Sequence, residues 1–141
     1  MALVFLENQS IDDIKKSHPQ LTEMADALFP GGLFNGKTLE FWRQLARINF
    51  ASEWANCDAH VLAVRGASDF VTYDVDHKLI ADVVNKVHPG RGKSDILANS
   101  DHLFHSFSTE QESLQNFQHG QFNPAFAGMM KEWIKEVQAS E

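Results

Sequence analysis

Hydrophobic residues recur along this chain with two different periods, and the change of period divides it. Residues 10–56 show the three- and four-residue spacing of amphipathic helices. Residues 60–65 are a short apolar run of the kind typical of buried strands, and residues 94–98 predict a second strand. Residues 74–88, between these segments, return to the helical period. A strand, a helix and a second strand in this order predict a βαβ unit with parallel strands and a right-handed crossover.

Polar residues and glycines predict the boundaries within the N-terminal part. Residues 1–6 are apolar and predict a strand or a core-facing segment. Ser10 with Asp13 resembles a capping box, in which a short side chain accepts a hydrogen bond from the first helical turn. Residues 29–32 form a Phe-Pro-Gly-Gly turn, and a longer helix is expected from about Thr38.

Two helices are expected to close the chain. Ser108 with Gln111 has the spacing of a capping box, and Asn123 followed by Pro124 predicts an N-cap and a first helical residue. The apolar stripe of the last helix consists of Phe126, Met129, Met130, Trp133, Ile134 and Val137. Such stripes are typical of core packing.

Length and composition indicate a globular protein, and the order of the predicted elements indicates an α/β one. The 141 residues suit one structural unit, since domains most often run to about 100–150 residues. Apolar residues make up 43% and charged residues 22%, which excludes disordered and fibrous classes. With 12 basic and 19 acidic side chains the net charge is −7, so a general nucleic-acid binder is not expected. We expect a helical, cap-like segment over 1–56 and an α/β segment over 57–141.

The sequence also restricts cofactors and location. The single cysteine, Cys57, cannot form an internal disulfide or a zinc site that needs several thiolates. No phosphate-binding loop or dinucleotide fingerprint is present, so no cofactor is expected. No apolar run reaches the roughly 20 residues of a membrane span, and the N-terminus lacks the features of a signal peptide. We therefore expect a cytoplasmic protein that makes no membrane contact.

An acidic residue and a histidine follow the two predicted strands. Asp69 follows the first strand and His102 follows the second. Because parallel neighbours end at the same edge of a sheet, these two side chains are expected to meet there. A carboxylate that accepts the imidazole Nδ1–H fixes the tautomer and leaves Nε2 as a base.

Residues 57–138 resemble the C-terminal part of an α/β-hydrolase-fold protein. The resemblance is carried by residues 60–69, by the helix and strand that follow, by Asn-Ser-Asp-His at 99–102 and by the closing helix. The family's chain order of nucleophile, acid and histidine implies that Asp69 is the acid and His102 the base of a serine hydrolase acting on esters, amides or similar acyl bonds. Residues 10–56 would then be a helical cap inserted before the acid-bearing strand.

The family's nucleophile elbow, G-x-S-x-G, does not occur in the sequence. Gly66-Ala-Ser-Asp-Phe70 begins like an elbow, but it lacks the second glycine and lies where the acid belongs. Ser68 is therefore not the expected nucleophile. Without a nucleophile the histidine activates nothing by this mechanism, so the chain is expected to be inactive alone. Two or three strands leave an open sheet, which predicts a homo-oligomer or completion by a missing N-terminal half.

Two other functions remain open from the sequence. The first is a non-catalytic interaction or oligomerisation module that kept a hydrolase-derived fold. The second is a small metal-dependent enzyme using His102 and His105, whose spacing would place both on one face of a helix. Asp101 is the only nearby additional ligand, so no metal is expected.

Overall fold

A computed structural model describes residues 2–140. The chain divides into two compact units, Met1–Phe50 and Ala51–Glu141. The expected mixed α/β architecture, with a small parallel sheet flanked by helices, is confirmed. Within residues 2–140, no helix is both long enough and apolar enough to cross a membrane.

The first unit contains short helices and a small hairpin around an apolar cluster. Val4, Ile14 and Phe29 are its buried centre. The elements are α1 (Ala2–Phe5), α2 (Ile11–Ser17), α3 (Thr22–Leu28), β1 (Leu33–Phe34), β2 (Lys37–Thr38) and α4 (Leu39–Ala46), with 3₁₀ turns at Pro19–Leu21 and Pro30–Gly32.

The expected strand over residues 1–6 is wrong, because Ala2–Phe5 form the helix α1 and Leu6 lies in a turn; Met1 lies outside the described residues. A helical turn satisfies backbone groups within the segment, whereas a strand needs a partner for them. Val4 still packs in the core, so the alternative of a core-facing segment agrees with the structure. The sheet thus gains no third strand from this segment.

The helical interpretation of residues 10–56 needs two corrections. First, β1 and β2 form an antiparallel hairpin around Asn35 and Gly36, which both have positive φ. Such a turn favours Asn-Gly because both residues tolerate the left-handed conformation. Second, Thr38 does cap α4, accepting from the Phe41 amide, but the helix ends at Ala46 and a separate helix, α5 (Phe50–Ala55), follows.

The second unit is built around the predicted βαβ arrangement. Strand β3 (Val61–Gly66) pairs in parallel with β4 (Gly92–Leu97), and helix α6 (Asp74–Val87) joins them. The register pairs Val61 with Gly92 and Gly66 with Leu97. Both strands therefore end at the same level, as the sequence predicted.

Helices cover opposite faces of this sheet. A side chain on Gly92 would lie 2.4 Å from the Ala81 carbonyl oxygen, so α6 packs directly on the face to which residue 92 points. Successive strand residues point to opposite faces, so Lys93 points the other way. Its Nζ lies 2.6 Å from Glu136 on α8 (Ala125–Ser140), which places that helix on the second face.

The caps of the last two helices fix the ends of the unit. Thr109, not Ser108, caps α7 (Glu110–Gln115): its hydroxyl accepts from the Glu112 amide, and the Glu112 carboxylate accepts from the Ser108 amide. The expected box with Gln111 is thus wrong by one residue, since a carboxylate in the first turn is favoured by the helix dipole. Asn123 caps α8 as predicted, accepting from the Ala125 amide at 3.0 Å.

Candidate active site

The loops that follow β3 and β4 touch at the carboxyl end of the sheet. A side chain on Gly66 would lie only 2.3 Å from the Ser100 carbonyl oxygen and 2.4 Å from that of Asp101. The Ser68 amide donates to the same Ser100 oxygen at 2.7 Å. Glycine at position 66 thus permits a backbone approach that no other residue would allow, and this approach brings the two loops together.

Asp69 and His102 meet across these loops. The imidazole Nδ1 lies 3.0 Å from the Asp69 Oδ2, which is hydrogen-bonding distance. Asp69 is 2% exposed, whereas the His102 side chain is 39% exposed. A buried carboxylate on one side and solvent on the other orient the ring, so that Nδ1 faces the acid.

Further donors surround the Asp69 carboxylate. Its Oδ1 accepts from the amides of Val71 at 2.6 Å and Thr72 at 3.1 Å, and its Oδ2 accepts from the Thr72 hydroxyl at 2.5 Å. Burial alone would raise the pKa of Asp69, but the hydrogen bonds from Thr72, Val71 and His102 outweigh it and hold the pKa below its ordinary value. Asp69 is therefore a carboxylate at neutral pH.

Arg65 holds the loop that carries Asp69. Its guanidinium donates to the carbonyl of Asp69 at 2.5 Å and to that of Thr72 at 2.9 Å. It also pairs with the carboxylates of Asp74 at 2.9 Å and Glu110 at 3.0 Å. Arg65 is 8% exposed, so these partners compensate a charge that burial would otherwise make costly.

Arg65 looks like an isolated charge in the sequence, but the structure gives it four partners. The signal that could have found it is its position near the end of an apolar strand. A charge buried in a sheet needs partners, and the polar residues that follow the strand are the nearest ones.

Ser68 is not presented as a nucleophile. It is 2% exposed, and its hydroxyl donates to the Phe107 carbonyl at 2.7 Å. The side chain therefore closes the acid-bearing loop against the segment before α7. This agrees with the absence of an elbow motif around it.

His102 and His105 point to different carboxylates. His102 bonds to Asp69, whereas the Nδ1 of His105 lies 3.7 Å from the Asp101 Oδ2. In the described part of the chain, no three His, Cys, Asp or Glu side chains cluster closely enough to hold a metal ion. The metal-dependent alternative therefore gains no support from the geometry.

Comparisons with protein families, curated proteins and solved structures return no significant match for this chain. Function must therefore be argued from the site itself.

Proposed function

We propose that this chain is the C-terminal part of a serine-type α/β hydrolase that cleaves ester, amide or similar acyl bonds. The observation that carries the proposal is the 3.0 Å contact between Asp69 and His102 at the carboxyl ends of two parallel strands joined by a helix. In a Ser–His–Asp system the carboxylate orients the imidazole, which exchanges a proton with the nucleophile.

Each group has a defined step in this reaction. Ionised Asp69 accepts the His102 Nδ1–H, which leaves Nε2 as the basic nitrogen. As the serine oxygen attacks the acyl carbon, Nε2 takes the proton of the serine hydroxyl. Nε2 then gives this proton to the leaving alkoxide or amine. The Asp69 charge stabilises the imidazolium that exists between these two transfers.

We propose that the serine comes from outside these 141 residues. The sequence has no G-x-S-x-G segment, and Ser68 is buried with its hydroxyl engaged. The missing half would supply a strand-to-helix turn with the serine and the oxyanion-hole donors. The chain alone would then be inactive toward acyl substrates. We also propose that it acts in the cytoplasm.

The test is hydrolysis of a p-nitrophenyl ester, first by the pure chain. We expect no turnover beyond that of free imidazole at the same concentration. Adding a separately expressed upstream segment that carries a G-x-S-x-G motif should then restore turnover. His102→Ala and Asp69→Asn should abolish the restored activity, whereas His119→Ala, which removes an exposed imidazole elsewhere, should not.

Two outcomes would count against this proposal. Turnover by the chain alone that disappears in His102→Ala would show that it contains its own nucleophile. A restored activity that survives both His102→Ala and Asp69→Asn would remove the pair from the mechanism. If no activity appears with the upstream segment, the non-catalytic interaction module becomes the better interpretation.

We also propose that copies of the chain associate. Val75, Leu79 and Ile96, on α6 and β4, are 56%, 54% and 49% exposed, which is unusual for a parallel sheet and its crossover helix. Light scattering at low micromolar concentration should give a mass above the 15.9 kDa of one chain. Leu79→Glu should lower this mass, while Leu114→Glu, at a similarly exposed leucine on α7, should not. A stable monomer would refute the association.

A further inference from the structure

Asp101 precedes His102 and is completely buried. Its Oδ1 accepts two backbone hydrogen bonds, from the amide of Leu103 at 2.9 Å and from that of His105 at 2.7 Å. These two amides lie on the C-terminal side of His102, and the carboxylate lies on its N-terminal side. The side chain of Asp101 therefore forms a hydrogen-bonded turn that encloses the His102 backbone.

The backbone of the same loop is closed by two further bonds. The Asp101 amide donates to the His105 carbonyl at 3.0 Å, and the Phe104 amide donates to the Asp101 carbonyl at 3.1 Å. Phe104 has a φ of 57°, a conformation that residues with side chains rarely adopt. A loop with an unfavourable residue needs such bonds to keep a single conformation.

The second carboxylate oxygen of Asp101 has a different environment. Oδ2 lies 3.7 Å from the His105 Nδ1, and in the described part of the chain neither atom has a hydrogen-bond partner. The hydrogen bonds of this side chain are therefore made by Oδ1. An amide in place of the carboxylate keeps the Oδ1 acceptor and puts an N–H donor opposite the imidazole.

We infer that Asp101 is a positioning residue for His102: by accepting the Leu103 and His105 amides, it holds the His102 ring where Nδ1 meets Asp69. This inference rests on the proposed function, in which His102 is the base. Asp101 does not touch the substrate or the reacting atoms. It acts through the loop, which already approaches β3 closely because residue 66 is glycine.

The test follows the tautomer of His102 by ¹⁵N NMR of the histidine-labelled full chain. In the native protein we expect the Nδ1–H tautomer and a downfield Nδ1 proton. Asp101→Asn should keep both signals, because the Oδ1 acceptor remains although the charge is gone. Asp101→Ala should lose both, because the two amides lose their acceptor and the ring leaves Asp69. Asp82→Ala, at an exposed acid on α6, should change neither signal.

Two further variants keep the result decisive. Asp69→Asn should remove the Nδ1–H tautomer; if it does not, the Asp69–His102 pair itself fails, and the proposed function fails with it. If Asp69→Asn acts as expected but Asp101→Ala leaves the tautomer unchanged, only the positioning role is overturned. Should Asp101→Ala lose its far-ultraviolet dichroism, Asp101→Val, which fills more of the site but also lacks an acceptor, decides instead, and a native tautomer in that variant overturns the inference.

Discussion

Replacing Gly66 with alanine should separate the two loops that form the candidate site. The new Cβ would lie 2.3 Å from the Ser100 carbonyl oxygen and 2.4 Å from that of Asp101, and both obstructing atoms belong to the backbone. Opening the shorter contact to 3.0 Å, below which real Cβ contacts essentially never occur, requires a movement of about 0.7 Å. Residue 66 does not have a positive φ, so the expected destabilisation arises from this collision.

The same movement determines the effect on the site. Asp69 follows β3 and His102 follows β4, so a displacement of the second loop lengthens their 3.0 Å bond beyond the roughly 3.2 Å limit of a hydrogen bond. Overpacking of this kind costs about 1–3 kcal/mol of unfolding free energy. We therefore expect Gly66→Ala to lower stability and to remove the Nδ1–H tautomer of His102.

Two other glycines provide matched controls for the same chemical change. In Gly92→Ala the new Cβ would lie 2.4 Å from the Ala81 carbonyl oxygen, so stability should fall by about 1–3 kcal/mol, but at the opposite end of β4, away from His102. In Gly128→Ala nothing lies within 4 Å, and alanine in helix α8 should raise stability by roughly 0.5–1 kcal/mol.

Urea unfolding followed by circular dichroism measures the stabilities, and ¹⁵N NMR reports the tautomer. A Gly66→Ala variant as stable as Gly128→Ala would show that the backbone contact does not exist. A Gly66→Ala variant destabilised to the extent of Gly92→Ala but with the native tautomer would contradict the predicted effect on the pair. That result would separate the close approach of the loops from the geometry of the pair.

Three further predictions concern the surroundings of the pair. Folding lowers the pKa of Asp69, so its ionisation stabilises the protein fully above the unfolded-chain pKa of about 3.9, and this contribution is lost as the pH falls through the folded pKa. Asp69→Asn should therefore flatten the acid side of a curve of stability against pH, and an unchanged curve would contradict this. Arg65→Lys should lower the free energy of unfolding in urea by about 1.5–3 kcal/mol, because one ammonium cannot reproduce the guanidinium's hydrogen bonds to two carbonyls and two carboxylates. A urea midpoint equal to that of the native protein would show that these bonds are dispensable. Asn123→Ala should lower the free energy of unfolding by about 0.5–2 kcal/mol, because it removes the α8 cap. Asn123→Asp keeps the cap acceptor but loses the Nδ2 bond to Ser100, so it separates the effect of the cap from that of the loop contact.

The main elements of the second unit could be predicted because local patterns specify them. The apolar run before Gly66 has the composition of a buried parallel strand. A second short strand segment ends before Ala98, and the helix between the two leaves the parallel arrangement as the simple solution. Once the strands are parallel neighbours, the residues that follow them share one edge of the sheet. The meeting of Asp69 and His102 therefore follows from topology and needs no knowledge of side-chain packing.

Other features depend on contacts between residues that are distant in sequence. Arg65 pairs with Glu110, 45 residues later, and no local pattern predicts that pair. The space beside Gly66 is likewise limited by the carbonyl oxygens of Ser100 and Asp101, in the loop that follows β4. The hairpin around Asn35 and Gly36 did have a local signal, the Asn-Gly turn, but its two-residue strands are too short to show an alternating pattern.

Most buried polar side chains in the described part of the second unit gather at the carboxyl ends of β3 and β4. The group comprises Arg65, Ser68, Asp69, Ser100, Asp101 and Asn123, and Ser113 on α7 is the one described buried polar residue of this unit outside it. A buried polar group that loses its partner costs about 1–3 kcal/mol, and apolar residues of the same size would avoid that risk. A fold selected for stability alone has no need of such a cluster, whereas a site that must fix an imidazole against a carboxylate requires one. The position of these groups around His102, whose own side chain reaches solvent, is therefore an argument for chemistry at this edge that does not depend on any likeness to another protein.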